Sequence, residues 1–326
     1  VHTLPALTDA AQALPELRVD WVVEENFSEI PSWHPAVRWV IPIALRRWRR
    51  RPLRSLLGGE PKEFLASLRR LRYDRVLDAQ GLLLKSALVA RLARGQRVGF
   101  DRSSAREPLS ALAYQERIRV PRGQHAIERN RQLFAQALGY DCPEGEPDYG
   151  LHRLLPPQMA VERRLVFLHG TTWATKHWPE DYWRELAQLA SAAGYQVRLP
   201  WGDAREMARA ERLAAAAPGA LVLPRLSLSE MAAELAAAAG VVGADTGLCH
   251  LAAALEVPAV TLYGATRPEL TGTRGPGQLH LLADFPCAPC LKRSCAFTGD
   301  TQVEPACYAS LPPALVWQTL QPLLRT

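Results

Sequence analysis

The sequence predicts an α/β protein of two doubly wound domains, each a parallel sheet covered by helices. Three observations predict it. Short apolar runs alternate with amphipathic helical patterns along nearly the whole chain, the rhythm of strand–helix–strand units. The 326 residues are enough for two such domains. A stretch at 141–157, rich in Pro, Gly and acids and without a period, reads as the linker between them. The expected domains are 1–150 and 151–326.

In the first domain, His2, Leu4, Leu7, Ala11 and Leu14 recur as in a helix. An α/β domain normally opens with a strand. None precedes this helix, so the native N-terminus reads as missing. Strands are expected at 17–23 and 39–43. Six arginines then fall within nine residues: Arg46, Arg47, Arg49, Arg50, Arg51 and Arg54. Like charges this dense need a counter-anion or full solvation, and Arg binds phosphate and carboxylate bidentately. The flanking Trp48 would suit the edge of a bilayer. An amphipathic helix at 61–72 precedes a strand at 74–79, which ends in Gln80-Gly81, with Lys85 in the next helix. Short strands are expected at 96–100 and 118–120. Arg106 and His125 follow at what should be the carboxyl edge of the sheet, and each alone reads as a surface residue more readily than as a site residue.

The second domain opens with a buried strand at 165–168, followed by His169-Gly170-Thr171-Thr172. Two hydroxyls and a glycine after a strand can donate to a diphosphate. Lys176 puts a cation just before the helix at 181–193, whose first turn suits Pro179. The next strand, 195–199, leads to a helix bearing Glu206, and an acid at such an edge can accept from ribose hydroxyls. A strand at 221–223 and a helix at 228–238 follow. The stretch 241–255, VVGADTGLCHLAAAL, reads as strand, tight turn and buried helix. A helix beginning at Thr246 or Gly247 points free N–H groups and its positive dipole end at any ligand there, which favours phosphate. Gly247 lets a backbone or ligand come close, and His250 lies one turn past Thr246. Asp245 alone would serve as well as a helix cap. A strand at 259–263, a loop at 264–268 on the same edge and a helix at 311–324 complete the chain.

Composition narrows the function. Apolar residues make up 48% and charged residues 22%, as in ordinary globular proteins. No apolar run approaches the roughly 18 residues of a membrane span, and no signal peptide is visible. The expected location is cytoplasmic, soluble or peripheral on a membrane. Net charge is +6, and all of the excess lies in residues 1–150, with 24 Lys+Arg against 18 Asp+Glu; residues 151–326 hold 15 of each. The first half should face an anionic partner: a phosphorylated lipid, a membrane surface or nucleic acid. No helix-turn-helix, RNA-binding signature or zinc finger supports nucleic acid. Cys287, Cys290, Cys295 and Cys307 are spaced C-x2-C-x4-C-x11-C, which fits a structural zinc, a redox-labile site or reduced loop thiols. Nothing else in the sequence calls for a metal or cofactor, and none is assigned.

Taken together, these stretches resemble the bacterial lipopolysaccharide heptosyltransferases of glycosyltransferase family 9, most closely those of type I. The resembling segments are VHTLPALTDA at 1–10, DWVVEE at 20–25, PSWHPAV at 31–37, the arginines at 46–50, DAQGL at 78–82, AREPL at 105–109 and QHAIER at 124–129. They continue with FLHGTT at 167–172, KHWPEDYWREL at 176–186, LPWG at 199–202 and ADTGLCHLAAAL at 244–255. No single motif is specific; their order along nearly the whole chain is.

The resemblance implies a GT-B architecture, with two Rossmann-like domains facing across a cleft. It implies inverting transfer of L-glycero-D-manno-heptose from ADP-heptose to a Kdo sugar of the lipid A inner core, by a protein peripheral on the cytoplasmic face of the inner membrane. By matching position, Thr171, Thr172 and Lys176 would contact the donor phosphates, with Lys176 stabilising the leaving group. Glu206 would take the ribose, while Asp245, Thr246, Gly247 and His250 would line the diphosphate and sugar. Arg46, Arg47, Arg49, Arg50 and Arg106 would meet the phosphates and Kdo carboxylates of the acceptor. The family's proposed general base, an Asp in a loop just upstream of the segment matching Val1, is absent from this sequence. The alternatives are type II transfer to the next core heptose, a nucleotide-sugar epimerase on the same fold, and a basic nucleic-acid-binding protein.

Overall fold

The computed structural model describes residues 1–51, 55, 58–151, 154 and 161–325. Arg54 and parts of the expected linker, residues 152–153 and 155–157, lie outside the described residues. The chain divides into two compact units, Val1–Gly150 and Leu151–Thr326.

The N-terminal unit holds two parallel sheets. One pairs β1 (Val19–Glu24) with β2 (Val37–Ile43); the other runs β3 (Tyr73–Asp78), β4 (Gly95–Phe100), β5 (Glu116–Ile118). Among the described residues, β1 and β3 each keep one edge without a strand partner. The Tyr73 hydroxyl, at the start of β3, donates to Asp20 of β1 at 2.9 Å. The helix Leu4–Ala13 buries every residue from Leu4 to Ala10 and packs on the helix Ala126–Leu138. That packing buries an ion pair, in which Arg131 Nε donates to Asp9 at 2.6 Å. The same guanidinium donates to the carbonyls of Pro143 and Gly145, so the first part of the Pro/Gly-rich stretch is fastened to this unit.

The C-terminal unit is built on one six-stranded parallel sheet. Its strands are β6 (Glu162–Leu168), β7 (Gln196–Leu199), β8 (Leu221–Val222), β9 (Ala238–Ala244), β10 (Ala259–Tyr263) and β11 (Gln278–Leu282). Their order is β11-β10-β9-β6-β7-β8. Chain order therefore runs outward from β6 to β8, then crosses back to β9 and runs the other way. This is the doubly wound arrangement, and its switch point, where ligands bind, lies between the carboxyl ends of β6 and β9. Every residue of β9 and β10 is buried. Phe167, Trp178, Trp183, Val242, Val260 and Tyr308 share one core. Trp178 and Trp183 meet edge to face with ring centroids 4.9 Å apart.

Most expected elements form, with shifted ends. The helix expected over 228–238 stops at Ala236, because β9 takes Ala238 to pair with Glu162 of β6. The strand expected at 118–120 is found at Glu116–Ile118. The strand β11 was not anticipated. The expected C-terminal helix is Pro313–Leu320 followed by a short 3₁₀ turn. Among the described residues no helix is long and apolar enough to cross a membrane.

Candidate active site

The loops that leave β6, β9 and β10 meet at the switch point. After β6, His169 is fully buried, Thr171 is half-buried and Thr172 is exposed. The loop closes in a 3₁₀ turn, Ala174–Lys176. Lys176 Nζ reaches 2.6 Å from Asp245 Oδ2 and 3.4 Å from the Asp245 carbonyl, just past the end of β9. The Thr266 hydroxyl, from the loop after β10, donates to the same carboxylate oxygen at 2.7 Å. The Lys176 and Asp245 side chains are only 15% and 11% exposed. A cation and an anion so far out of water hold each other in place, because losing either partner leaves a poorly solvated charge.

Asp245 therefore orients Lys176 and does not cap the following helix, Gly247–Ala254. Thr246 occupies the N-cap position without a side-chain cap bond. A Cβ at Gly247 would meet nothing within 4 Å, so the first turn opens onto free space. His250 is half-buried in that turn. On the other side of β6, the Gly202 N–H donates to Glu206 Oε2 at 2.7 Å. A Cβ at Gly170 would come within 2.3 Å of Glu206 Oε1. A glycine at 170 is thus what allows Glu206 to lie against the end of β6. Burial, followed by the nearby Arg209, lowers the His169 pKa to about 4 and keeps its ring neutral.

Three participants escaped the sequence reading. Thr266 was legible only as part of a loop on the same edge. Arg293 had no signal at all. Its guanidinium lies 5.4 Å from the centroid of the Trp173 ring, and Lys176 Nζ lies 4.8 Å from the same ring, so two cations flank one indole. Tyr308 is buried, and its hydroxyl donates to the Lys176 carbonyl at 3.1 Å. The Cys-rich segment that carries Arg293 also braces the site. Leu291 N–H donates to the Ala265 carbonyl at 2.8 Å, and the Thr175 hydroxyl donates to the Lys292 carbonyl at 2.5 Å. Its four thiols are free. Burial pushes the Cys307 thiol up to about 11, with Cys287, Cys290 and Cys295 adding to the shift. Among the described residues no group of His, Cys, Asp or Glu is arranged to hold a metal ion.

The expected acceptor residues belong to the N-terminal unit. Arg46, Arg47, Arg49 and Arg50 lie exposed on the short helix Leu45–Arg50. Arg47 is matched from within, donating to Glu25 at 2.9 Å and to Glu60 at 2.7 Å. Among the described residues Arg49 and Arg50 make no ion pair. Trp48 does not face outward as a bilayer-edge residue would. It is half-buried, donates from its indole to Glu60 at 2.8 Å and packs edge to face on Phe64. Arg106 is exposed beside Gly81. His125 is buried and accepts from Ile127 N–H as the N-cap of the helix Ala126–Leu138.

The profile of glycosyltransferase family 9 (heptosyltransferase) matches residues 62–299. The chain is 52% identical over 334 aligned positions to lipopolysaccharide heptosyltransferase 1 of Pseudomonas aeruginosa, covering 99% of this chain and 94% of that protein. It is 30% identical to lipopolysaccharide heptosyltransferase 2 of Escherichia coli, over 79% of this chain and 77% of that one. Escherichia coli heptosyltransferase WaaC, 48% identical, superposes with a TM-score of 0.83 in its structure with ADP and 0.80 in that with ADP-2-deoxy-2-fluoro heptose, covering 87% of this chain and 89% of WaaC in each.

Two α/β units built on parallel strands, superposing on a heptosyltransferase of known structure, place the chain in the GT-B class of glycosyltransferases. The chain belongs to glycosyltransferase family 9, the heptosyltransferases. Family membership sets aside the epimerase and the nucleic-acid binder.

Proposed function

We propose that the protein transfers L-glycero-D-manno-heptose from ADP-heptose to a Kdo residue of the lipid A inner core, working at the cytoplasmic face of the inner membrane. The observation that carries this reading is the Lys176–Asp245–Thr266 constellation at the switch point, in a chain close in sequence to type 1 heptosyltransferases. The greater similarity to type 1 than to type 2 favours Kdo over heptose as the acceptor.

In this reading the C-terminal unit binds the donor. Thr171 and Thr172 donate hydroxyls to the diphosphate, and the first-turn N–H groups from Gly247 point at it. Thr246 and His250 line the diphosphate and the sugar. Glu206 accepts from the ribose hydroxyls. Transfer is an inverting displacement at the anomeric carbon, which passes through an oxocarbenium-like state while negative charge builds on the departing ADP. Lys176, held by Asp245, meets that charge without reorganising, which is what lowers the barrier. Arg46, Arg47, Arg49, Arg50 and Arg106 bind the phosphates and carboxylates of the acceptor.

The test is steady-state transfer with ADP-heptose and Kdo-lipid A. Lys176→Ala is expected to lower kcat by about 10²–10³, the usual cost of one such donor. Near-normal turnover would remove Lys176 from its role. Equal or faster transfer to an acceptor that already carries the first heptose would turn the reading to type 2.

A further inference from the structure

We infer that the N-terminal unit carries a membrane-docking face, built from Leu84, Leu88, Leu109 and Leu112 and rimmed by Lys85, Arg91 and Arg106, that takes the surface of an anionic lipid bilayer. It deepens the proposed function, from which it takes the lipid-linked acceptor, but its geometry stands apart from the donor site.

Two neighbouring helical segments present this face. The first runs as a π-helical turn, Leu83–Ala87, continuing into the helix Leu88–Leu92. It turns Ala87 and Ala90 inward, and Leu84, Leu88 and Arg91 fall at i, i+4 and i+7 on the outer side. The second is the 3₁₀ helix Pro108–Ala113. It buries Ser110, Ala111 and Ala113. Leu109 and Leu112 are three residues apart, which in a 3₁₀ helix places them one above the other. The buried sides of both segments pack together through Ala87, Ala113 and Tyr114. Their starts are tied by Leu83 N–H donating to Glu107 Oε2 at 2.6 Å and by Glu107 N–H donating to the Gly81 carbonyl at 3.0 Å.

The outer leucines are unusually bare. Leu84 is 79% exposed, Leu112 62%, Leu109 52% and Leu88 50%. Single exposed leucines need no explanation, but four on two packed segments form a patch. Charge decides what covers it. Lys85 and Arg91 are exposed on the first segment, Arg106 is exposed two residues before the second, and the one acid of these stretches, Glu107, accepts from Leu83 N–H. A twofold contact with a second copy would set these cations against one another. An anionic bilayer offers lipid to the leucines and headgroup phosphate to the rim. The leucines lie on segments other than the arginine helix Leu45–Arg50, whose tryptophan is turned inward and adds no apolar surface of this kind.

The test is cosedimentation of the full chain, without donor or acceptor, with vesicles of phosphatidylethanolamine and phosphatidylglycerol. Phosphatidylcholine vesicles serve as the neutral control. The protein is expected to bind the anionic vesicles and to be released by salt. Replacing Leu84, Leu88, Leu109 and Leu112 together by Gln is expected to weaken partition about tenfold or more. Hydrogen exchange on the unaltered protein should gain protection at 83–92 and 108–113 when vesicles are added. Unchanged binding by the variant, protection confined to 45–50, or no vesicle binding at all would overturn the proposal. So would a vesicle-free dimer that the variant abolishes, which would make this face a contact between copies. Heptose transfer itself stands or falls on turnover and is untouched by these outcomes; only the absence of all vesicle binding would also count against work at the membrane face.

Discussion

The two groups of cations assigned to ligands are held in opposite ways. Lys176 and Asp245 are 15% and 11% exposed and fix each other at the end of a wholly buried strand. Arg47 is 48% exposed, and its partners Glu25 and Glu60 are 34% and 37% exposed. Water and salt screen the second set, so it adds little to stability and remains free to exchange partners. The first set is desolvated, so its geometry is fixed before any ligand arrives. The frameworks differ in the same sense. The C-terminal unit is one continuous six-stranded sheet, whereas the N-terminal unit has sheets of two and three strands, and all of β1 is only half-buried. A small, defined diphosphate suits a rigid cradle. A large polyanion suits a surface of loosely held arginines.

If burial, and not the unit, sets this contrast, the Arg131–Asp9 pair of the N-terminal unit should behave like the one at the active site. Its side chains are 3% and 6% exposed. Asp9→Ala is expected to cost about 1.5–3 kcal/mol in urea unfolding, since the buried guanidinium loses its nearest carboxylate and keeps Glu128 at 3.5 Å and two carbonyls. A loss well under 1 kcal/mol would break the comparison.

Acid should find the buried histidines next. Burial lowers His169 and His34 to about 4, from an ordinary value of 6.5. The unfolded chain takes up these protons first, so stability is full above about pH 6.5 and falls as pH drops towards 4. For His169 the slope approaches ~1.4 kcal/mol per pH unit. Unfolding of His169→Gln and His34→Gln at pH 7 and pH 5 should each show a shallower loss than wild type. Parallel losses would mean that other groups carry the acid sensitivity.

Gly170→Ala sharpens the picture at the proposed donor site. The new methyl group would displace Glu206, whose carboxylate is the flexible end of a side chain. ADP affinity is expected to fall several-fold with little change in melting temperature. Unchanged affinity would separate Glu206 from the ribose. The smallest effect is expected at Arg47→Ala, which should leave the melting temperature close to wild type and weaken saturation by acceptor. A marked loss of stability there would show that Glu25 and Glu60 need Arg47 structurally.

The sequence was most legible where one local signal sufficed. Glycines and hydroxyls after apolar runs marked the ends of β6 and β9, and their order along the chain marked the fold. The run AELAAAAGVVGA was ambiguous, because alanine favours helix, and only pairing with β6 takes Ala238 into a strand. Asp245 was legible as an acid at a helix start, but not as the partner of Lys176, 69 residues away. Thr266, Arg293 and Tyr308 were hidden for the same reason, since no periodicity records contacts made across loops.

By itself the sequence determined the alternation of strands and helices, the excess of positive charge in the first 150 residues and the hydroxyls, glycines and lysine that follow β6 and β9, because each depends on residue type and local spacing. Tertiary structure decided which charges are paired and which are bare. It turned Trp48 inward, left Leu84 and Leu112 outside and brought the ends of β6, β9 and β10 to one carboxylate. Desolvation is what separates the two accounts. It depends on everything that packs around a group, and that is set by contacts distant in sequence.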